Sequence, residues 1–330
     1  MAEQSTRYAI LEQLRLRNGS LLSGGELAEQ MQISRTAVWK HIASLQEEGY
    51  SIETVPNKGY RLLEGSVFSG HEISRRLTTE HIGKNLIFLE TVDSTNEAAK
   101  KAAAEGAPDG TVIVAKQQTQ GRGRLARKFE SPAGFGVYLT ILLRPEISIA
   151  DLNLITLLAA VVAADTIEQL SGKRPGIKWT NDLFFERRKI CGILTECAVE
   201  GESGRVGYAA VGIGMNLLHE QSDFPPELQE IAGSVKMCTG ISIDPTDYTA
   251  ALLKNFEQYY RMQHFPDNKE AMLDQYRRDL FFLGQPVQVV GLRESYPAVA
   301  IDVDEDGRLL VRRENGMLEA LNSGEISIRF

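Results

Sequence analysis

Residues 121–129 combine glycine with closely spaced positive charge. The stretch Gly-Arg-Gly-Arg-Leu-Ala-Arg-Lys-Phe holds three Arg, one Lys and two Gly, with no acidic residue, in a chain of net charge −8. Arg presents a planar fork of donors that matches carboxylate and phosphate oxygens, and Gly lets backbone N–H groups approach a ligand closely. Apolar segments at 112–115 and 136–143 flank the run and predict a loop between two strands. The stretch therefore indicates an anion-binding loop, and a solvated basic turn is the alternative.

A second polar stretch, Asp-Ser-Thr-Asn at 93–96, lies between a predicted strand at 86–89 and a predicted helix at 97–105. Asp, Ser and Thr favour helix N-caps, and the first turn of a helix offers free N–H groups. A cap accounts for one such residue. The hydroxyl and amide groups together could also bind a small polar ring, so both interpretations stay open.

Polar residues interrupt a third apolar segment, 177–185. Asn181 and Asp182 could form a simple turn, and the strand predicted at 190–196 makes a hairpin the simplest arrangement. Such a hairpin would bring Asn181, Asp182 and Lys189 close together.

Residues 207–217 are rich in glycine and predict a further hairpin, with strands at 207–212 and 213–217. Glycine inside strands also suggests that another group approaches the backbone closely. The central region as a whole offers cations, amides and a carboxylate, but no covalent nucleophile in a recognisable setting and no P-loop or Gly-x-Gly-x-x-Gly motif. This combination suits activation of a carboxylate by ATP, in which positioning and charge stabilisation do most of the work.

Composition restricts the class of protein. A length of 330 residues and 43% hydrophobic content are typical of a globular chain of two to three domains. Since no apolar run approaches the ~18 residues of a membrane span, we expect a cytoplasmic protein without membrane partners. Three sparse Cys and five scattered His predict neither a disulfide framework nor a metal site. The acidic balance argues against a chain that coats nucleic acid, but it permits one local DNA-binding module.

The first 64 residues have the pattern of a winged helix-turn-helix. Apolar spacing predicts helices at 8–16, from 23 onward, and from the N-cap Ser34 to about residue 48. Alternating segments at 50–55 and 60–63 predict a hairpin that would form the wing. The residues expected to face DNA are Ser34, Arg35, Thr36, Trp39, Lys40 and Lys58.

The alternative for this segment is a small helical interaction domain. Residues 1–64 contain seven basic and eight acidic side chains, so attraction to phosphate is local. One copy is expected to bind DNA weakly, and two copies on a palindrome would be needed.

Four short motifs occur in order along the chain, namely Gly-Arg-Gly-Arg (121–124), Lys-Trp-x-Asn-Asp (178–182), Lys-x-x-Gly-Ile-Leu-x-Glu (189–196) and Gly-x-Gly-x-Asn (212–216). Together they resemble the bacterial biotin–protein ligases, also called biotin–[acetyl-CoA-carboxylase] ligases, and the similarity covers nearly the whole chain. The amino-terminal segment resembles the subset of that family that also represses the biotin operon.

The resemblance implies an α+β multidomain fold. It implies a winged helix-turn-helix at 1–64 and, at 65–278, a mixed α/β catalytic domain of the class II aminoacyl-tRNA synthetase/biotin ligase-like type. At 279–330 it implies a small SH3-like β-barrel. Short strands predicted at 285–290, 298–303, 309–312 and 325–328 agree with the last of these.

The resemblance also implies roles for individual residues. The ureido end of biotin would be held by Ser94, Thr95, Asn96 and Gln118. The loop that closes over biotin and phosphate would be Gly121, Arg122, Gly123 and Arg124. Lys189 would lie against the reacting carboxylate and α-phosphate, which makes Lys189 and Arg124 the expected catalytic residues. The nucleotide would be placed by Arg127, Asn181, Asp182 and Asn216. Phe129 would pack on adenine, although many relatives have Trp there and Pro in place of Thr180.

The implied reaction has two steps. Biotin and ATP, with Mg²⁺, form biotinyl-5′-adenylate and pyrophosphate, and a lysine of a biotin-acceptor domain, such as that of a biotin-dependent carboxylase, then attacks the adenylate. With adenylate bound and no acceptor present, the protein would dimerise and bind operator DNA. Two alternatives remain, namely a ligand-sensing repressor without catalysis and a lipoate-type ligase, which shares the central fold.

Overall fold

The computed structural model describes residues 2–124, 127–201, 204–262, 265–267, 269–290, 294–322 and 325–328. The chain divides into two compact units, Met1–Glu72 and Ile73–Phe330.

The first unit contains three helices and a two-stranded hairpin, namely α1 (Ala2–Leu16), α2 (Gly24–Met31), α3 (Arg35–Glu47), β1 (Ile52–Val55) and β2 (Gly59–Leu62). The predicted cap at Ser34 is present, and Ser23 caps α2 as well. The Ser23 hydroxyl accepts from the Glu26 N–H at 3.1 Å in a capping box, and the Ser34 hydroxyl accepts from the Ala37 N–H at 3.1 Å. The helices meet over an apolar core that includes Ile10, Leu11, Leu14, Leu27, Val38, Ile42 and Leu45.

The hairpin gains a third extended segment from the residue before α2. Leu22 exchanges both backbone hydrogen bonds with Tyr60, at 2.8 and 2.9 Å. Gly59 has φ +125°, and a side chain there would collide with the Leu22 carbonyl, so this position requires glycine. The predicted winged helix-turn-helix is confirmed.

The first unit continues beyond the wing. The Tyr50 hydroxyl lies 3.1 Å from Ser69 Oγ, and Arg15 contacts the buried Glu72 carboxylate at 2.7 Å. Residues 65–72 are therefore part of this compact unit.

A seven-stranded mixed sheet forms the centre of the second unit. Its strands are β3 (Leu86–Val92), β4 (Thr111–Gln118), β5 (Gly136–Leu143), β6 (Gly176–Lys178), β7 (Asp182–Phe185), β8 (Arg188–Glu200) and β9 (Arg205–Asn216). The strand order is β3-β4-β5-β9-β8-β7-β6, with β3 and β4 parallel and every other pair antiparallel. The mixed sheet agrees with the predicted fold class.

The predicted hairpin at 207–217 is wrong, because residues 207–216 lie in the single continuous strand β9. Its glycines allow close approach instead of a turn. A side chain at Gly212 would collide with Asn96, and one at Gly214 would lie 2.5 Å from the ring of Phe129.

The short helix α4 (Gly70–Arg76) spans the boundary between the two units. The second unit also contains the helices α5 (Thr95–Ala104), α6 (Leu152–Ser171), α7 (Val235–Thr239), α8 (Pro245–Glu257) and α9 (Lys269–Asp279). Of these, α5, α6, α8 and α9 pack against the central sheet. A π-helical turn, Gln258–Met262, follows α8. Contrary to the sequence-based expectation, Ile149–Ser171 is long and apolar enough to cross a membrane, with a mean hydropathy of 1.6. Most of that window is buried inside the protein, as in the core helix of a globular domain.

The chain ends in a five-stranded antiparallel sheet, formed by β10 (Pro286–Val290), β11 (Ser295–Val303), β12 (Leu309–Arg313), β13 (Leu318–Leu321) and β14 (Glu325–Ile328). The order is β13-β12-β11-β10-β14, and β13 was not among the predicted strands. Closure of this sheet into an SH3-like barrel stays a prediction.

Candidate active site

A cluster of buried polar side chains lies at the amino-terminal end of α5. Ser94, Thr95 and Asn96 are each at most 4% exposed. Gln118, at the end of β4, accepts from the Thr95 backbone N–H at 2.9 Å and donates to Ser131 Oγ at 2.9 Å. The structure thus brings together the four residues that the resemblance assigns to one end of the ligand.

Ser94 has the backbone conformation of an N-cap, but its side chain makes no capping bond. The side chain of Gln118 takes that role by accepting from the Thr95 N–H. Ser94 is therefore the N-cap by position, but its hydroxyl does not cap the start of α5.

Thr140 completes the polar cluster from β5. Its hydroxyl lies 2.9 Å from Thr95 Oγ1 and 2.7 Å from Asn96 Oδ1, and it is fully buried. Thr140 was not among the candidate residues that the sequence motifs indicate. The only signal for it is one threonine in a strand of otherwise apolar and aromatic residues, all of them buried.

Charged groups adjoin the same cluster. Asn96 donates to Glu196 Oε2 at 2.8 Å, and the Glu196 carboxylate contacts Lys100 at 2.6 Å. Lys100 also donates to Glu97, and this hydrogen bond is the main reason why the pKa of Glu97 lies below its usual value. Arg122 contacts Glu97 at 2.5 Å, which links the basic loop to α5.

The basic loop joins β4 and β5, as predicted, and folds back on itself. Gly123 N–H donates to the Arg127 carbonyl at 2.7 Å, and Phe129 N–H donates to the Gly121 carbonyl at 2.9 Å. Leu125 and Ala126, the centre of the stretch, lie outside the described residues. The loop therefore presents Arg124 from a short, internally bonded turn.

Arg124 reaches the turn between β6 and β7. Its Nη1 donates to Thr180 Oγ1 and to Asn181 Oδ1, each at 3.1 Å. The Asn181 amide donates in turn to the Ile193 carbonyl of β8 at 2.7 Å. These bonds fix the guanidinium beside the edge of β8.

The hairpin formed by β7 and β8 brings Lys189 and Asp182 together, as predicted. The ammonium nitrogen of Lys189 lies 2.8 Å from Asp182 Oδ1, and both side chains are partly buried. Cys191, two residues further on, is fully buried, and burial raises the pKa of its thiol. This cysteine is therefore not an activated nucleophile.

A strip of glycines connects the two ends of the site. Gly192 and Gly214 are directly opposite on β8 and β9, and Gly212 follows on the same face. A side chain at Gly192 would have its Cβ 3.2 Å from Lys189 Nζ and 3.2 Å from Cε2 of Phe129. The bare strip thus extends from the amide of Asn96 to the ammonium group of Lys189, with the Phe129 ring against it.

Asn216, at the end of β9, is buried. Its amide donates to the Gly233 carbonyl at 3.0 Å, while its Oδ1 has no partner among the described residues. A buried acceptor without a hydrogen bond destabilises the folded protein. A ligand that donates a hydrogen bond to Asn216 Oδ1 would remove this cost. A separate cavity of about 310 Å³ is lined by Glu130, Pro132, His219, Ser222, Asp223, Phe224 and Pro225.

A larger cavity, about 770 Å³, opens on the other side of the site. Its wall includes Arg124, Thr180 and Asn181 of the central domain and Asp306 and Arg308 of the turn between β11 and β12. In the described part of the chain, no group of three or more His, Cys, Asp or Glu is placed to hold a metal ion.

The expected DNA-facing residues belong to the first unit. Along the outer face of α3, Arg35, Thr36, Trp39 and Lys40 are exposed, and Trp39 shows 59% of its surface. Lys58 is exposed at the tip of the hairpin. The Ser34 hydroxyl caps α3 by accepting from the Ala37 N–H.

Comparison with known proteins agrees with these two units. Residues 6–61 match a family described as HTH domain, residues 88–216 the Biotin/lipoate A/B protein ligase family, and residues 282–329 the Biotin protein ligase C terminal domain.

The full-length relatives extend over both units. The Bifunctional ligase/repressor BirA of Bacillus spizizenii is 35% identical over 98% of each chain, and the protein of the same name from Escherichia coli is 29% identical over 95% of each chain. A solved structure of biotin protein ligase from Aquifex aeolicus in complex with biotin and ATP is 29% identical. It matches 74% of this chain and 99% of its own, with a TM-score of 0.63. The chain therefore belongs to the BirA family of bifunctional ligase/repressor proteins.

Proposed function

We propose that this protein is an ATP-dependent biotin–protein ligase that also represses transcription of a biotin operon. It forms biotinyl-5′-adenylate from biotin and ATP–Mg²⁺ and then transfers biotin to a lysine of an acceptor domain. The observation that carries this proposal is the glycine strip, which has buried amide and hydroxyl groups at one end and two cations at the other.

The proposed site follows the strip from end to end. Biotin lies along it with its ureido ring at the cluster formed by Ser94, Thr95, Asn96, Gln118 and Thr140. The carboxylate then points to Lys189 and Arg124, whose charges stabilise the negative charge that develops during attack on the α-phosphate. Gly121, Arg122 and Gly123 cover the ligand from the basic loop.

The nucleotide occupies the other side of Lys189. Asn216 has an unpartnered buried oxygen for a donor of the nucleotide, and the Phe129 ring provides a flat apolar surface for adenine. Arg127, Asn181 and Asp182 place the phosphates and ribose. The domains carry out separate tasks, with DNA binding in the first unit, catalysis in the second unit as far as residue 278 and an SH3-like domain at 279–330.

The acceptor domain and a second copy of the protein both bind at the edge of the central sheet. β7 pairs with β8 only as far as Gly192, so in the described residues no strand pairs with the outer edge of 195–199. A free edge of this kind can add a strand from another chain. The acceptor lysine reaches Arg124 through the larger cavity beside this edge, and a second adenylate-bound copy uses the same edge when no acceptor is present.

Operator binding follows from the exposed face of α3. Arg35, Thr36, Trp39 and Lys40 enter a major groove and Lys58 contacts the backbone, with two copies on a palindrome. The protein acts in the cytoplasm, where the carboxylase, the operator and ATP occur together.

Incubation of the full chain with ATP and Mg²⁺ tests the catalytic proposal. We expect pyrophosphate exchange into ATP that depends on biotin and not on lipoate, followed by labelling of an acceptor domain. Exchange with lipoate instead of biotin would indicate a lipoate-type ligase. Absence of exchange with either ligand, together with biotin-dependent operator binding, would indicate a sensor without catalysis.

A further inference from the structure

Thr180 receives hydrogen bonds from two distant parts of the second unit. Its side-chain oxygen accepts from Arg124 at 3.1 Å, and its backbone carbonyl accepts from the Tyr276 hydroxyl at 2.9 Å. Thr180 is only 4% exposed. The turn that holds Arg124 is therefore itself held by α9.

Tyr276 stands on a rigid support. Its side chain is fully buried, and burial raises the pKa of its hydroxyl well above the usual value, so the group remains a donor at neutral pH. Three residues further along α9, Asp279 makes a bidentate pair with Arg174, with both N–O distances at 2.6 Å. Such a pair fixes the helix that carries the tyrosine.

The residue before Thr180 is held from the carboxy-terminal sheet. The Trp179 indole N–H donates to the Gly307 carbonyl at 3.1 Å, and the same carbonyl accepts from Asn153 of α6 at 2.9 Å. Gly307 has φ +76°, and a side chain there would lie 2.8 Å from Leu157, so this turn fits α6 only with glycine. Two neighbouring residues of the turn are thus fixed independently.

We infer that Tyr276 is a positioning residue for Arg124, and that it acts through the Thr180 peptide. The inference rests on the proposed ligase function. Without the Tyr276 hydroxyl the Thr180 carbonyl loses this hydrogen bond, while Trp179 and Asn181 keep their own bonds to Gly307 and Ile193. Thr180 Oγ1 then holds the guanidinium less firmly. Arg124 then retains the adenylate less well, and more of it escapes before an acceptor arrives.

The chain contains a matched control for this hydroxyl. Tyr248 is also fully buried, but its hydroxyl has no hydrogen-bond partner among the described residues. Tyr276→Phe and Tyr248→Phe remove the same atom from comparable surroundings. Only the first removes a bond to the site.

The experiment measures release of biotinyl-adenylate by the full-length protein, with the KM for ATP, the kcat of exchange and the melting temperature. We expect Tyr276→Phe to release adenylate roughly fivefold faster, the change that corresponds to one lost hydrogen bond, and Tyr248→Phe to match wild type. In the double variant Tyr276→Phe/Arg124→Ala, release should equal that of Arg124→Ala alone, because both changes act on one interaction. If Tyr276→Phe does not fold, Thr180→Val takes its place. This change removes Thr180 Oγ1, the atom that accepts from Arg124, with little change of shape.

Equal adenylate release by Tyr276→Phe and Tyr248→Phe, or additive effects in the double variant, would overturn the inference and leave the ligase function standing. If the wild-type protein forms no adenylate, the proposed function fails and this inference fails with it.

Discussion

The ammonium group of Lys189 lies 2.8 Å from Oδ1 of Asp182, across the hairpin of β7 and β8. Register explains the contact, since Lys189 pairs with Phe184 and Gly192 pairs with Asp182, with a bulge between them. The carboxylate holds the cation beside the glycine strip before any ligand arrives, and a preorganised charge of this kind is what a developing negative charge requires.

We expect Lys189→Ala to lower adenylate formation by ~10²-fold or more, because one preorganised donor at a developing charge typically contributes several kcal/mol. Biotin-dependent pyrophosphate exchange measures this loss, and thermal unfolding confirms that the variant is folded at the assay temperature. Exchange rates within a few-fold of wild type would show that Lys189 does not stabilise the transition state of adenylate formation.

We expect Arg124→Gly to release the reactive adenylate and to label bystander lysines without selectivity. The variant loses the guanidinium that bonds Thr180 and Asn181 at the edge of the site. Mass spectrometry of an unrelated protein in the reaction, normalised to adenylate formed, detects the labelling. Unchanged selectivity for the acceptor domain would argue against this role of Arg124.

We expect removal of residues 1–72 to abolish operator binding while biotin transfer persists at a measurable rate. The cut follows the boundary of the first compact unit, since Ser69 and Glu72 bond to Tyr50 and Arg15. Gel shift and acceptor labelling measure the two activities. A folded truncation that transfers no biotin would show that the first unit takes part in catalysis.

His219 makes stability depend on pH. Its ring lies between Phe224 and Phe135, and both nitrogens lack partners among the described residues. Burial lowers its pKa from 6.5 to about 4, against an opposing effect of Asp223. The unfolded chain therefore binds a proton at a higher pH than the folded chain. The contribution of neutral His219 to stability is fully present above pH 6.5, the pKa of this group in the unfolded chain. It is lost as the pH falls toward 4, the pKa in the folded chain.

Between pH 7.5 and pH 5, this titration should cost about 2 kcal/mol of unfolding free energy. The variant His219→Met should lose that part of the pH dependence, while dependence on other groups remains. Urea unfolding of both proteins at the two pH values gives the comparison. Identical pH dependence in wild type and variant would contradict the assignment to His219.

We expect biotin plus ATP to tighten operator binding by roughly 5- to 150-fold, the usual range for coupling between two sites. Residues 1–64 have seven basic and eight acidic side chains and therefore no net positive charge. One copy gains little from counterion release, and a dimer gains twice as many contacts. Gel-shift titration at fixed salt, with and without the two ligands, measures the factor. Equal operator affinity with and without the two ligands would contradict the coupling between ligand and DNA binding, and would leave the ligase function unaffected.

Local patterns in the sequence were sufficient to predict much of this protein. The cap at Ser34, the spacing of apolar residues on α3 and the turn before Gly59 specify a winged helix because each acts within a few residues. The basic loop and the pair of Asp182 and Lys189 were also predictable, since adjacent strands joined by a short turn must lie side by side.

Tertiary structure alone decided the contacts between residues far apart in the chain. The glycines of 207–217 predicted both a hairpin and a close approach to the backbone. Only the close approach is present, because Gly212 and Gly214 lie in one strand with Asn96 and Phe129 against them. A glycine can mark a turn or a close approach, and only the neighbour distinguishes the two. Tyr276 and Thr180 are separated by 96 residues and Trp179 and Gly307 by 128. No local propensity specifies such pairs, because they arise only when α9 and the carboxy-terminal sheet settle against the central sheet.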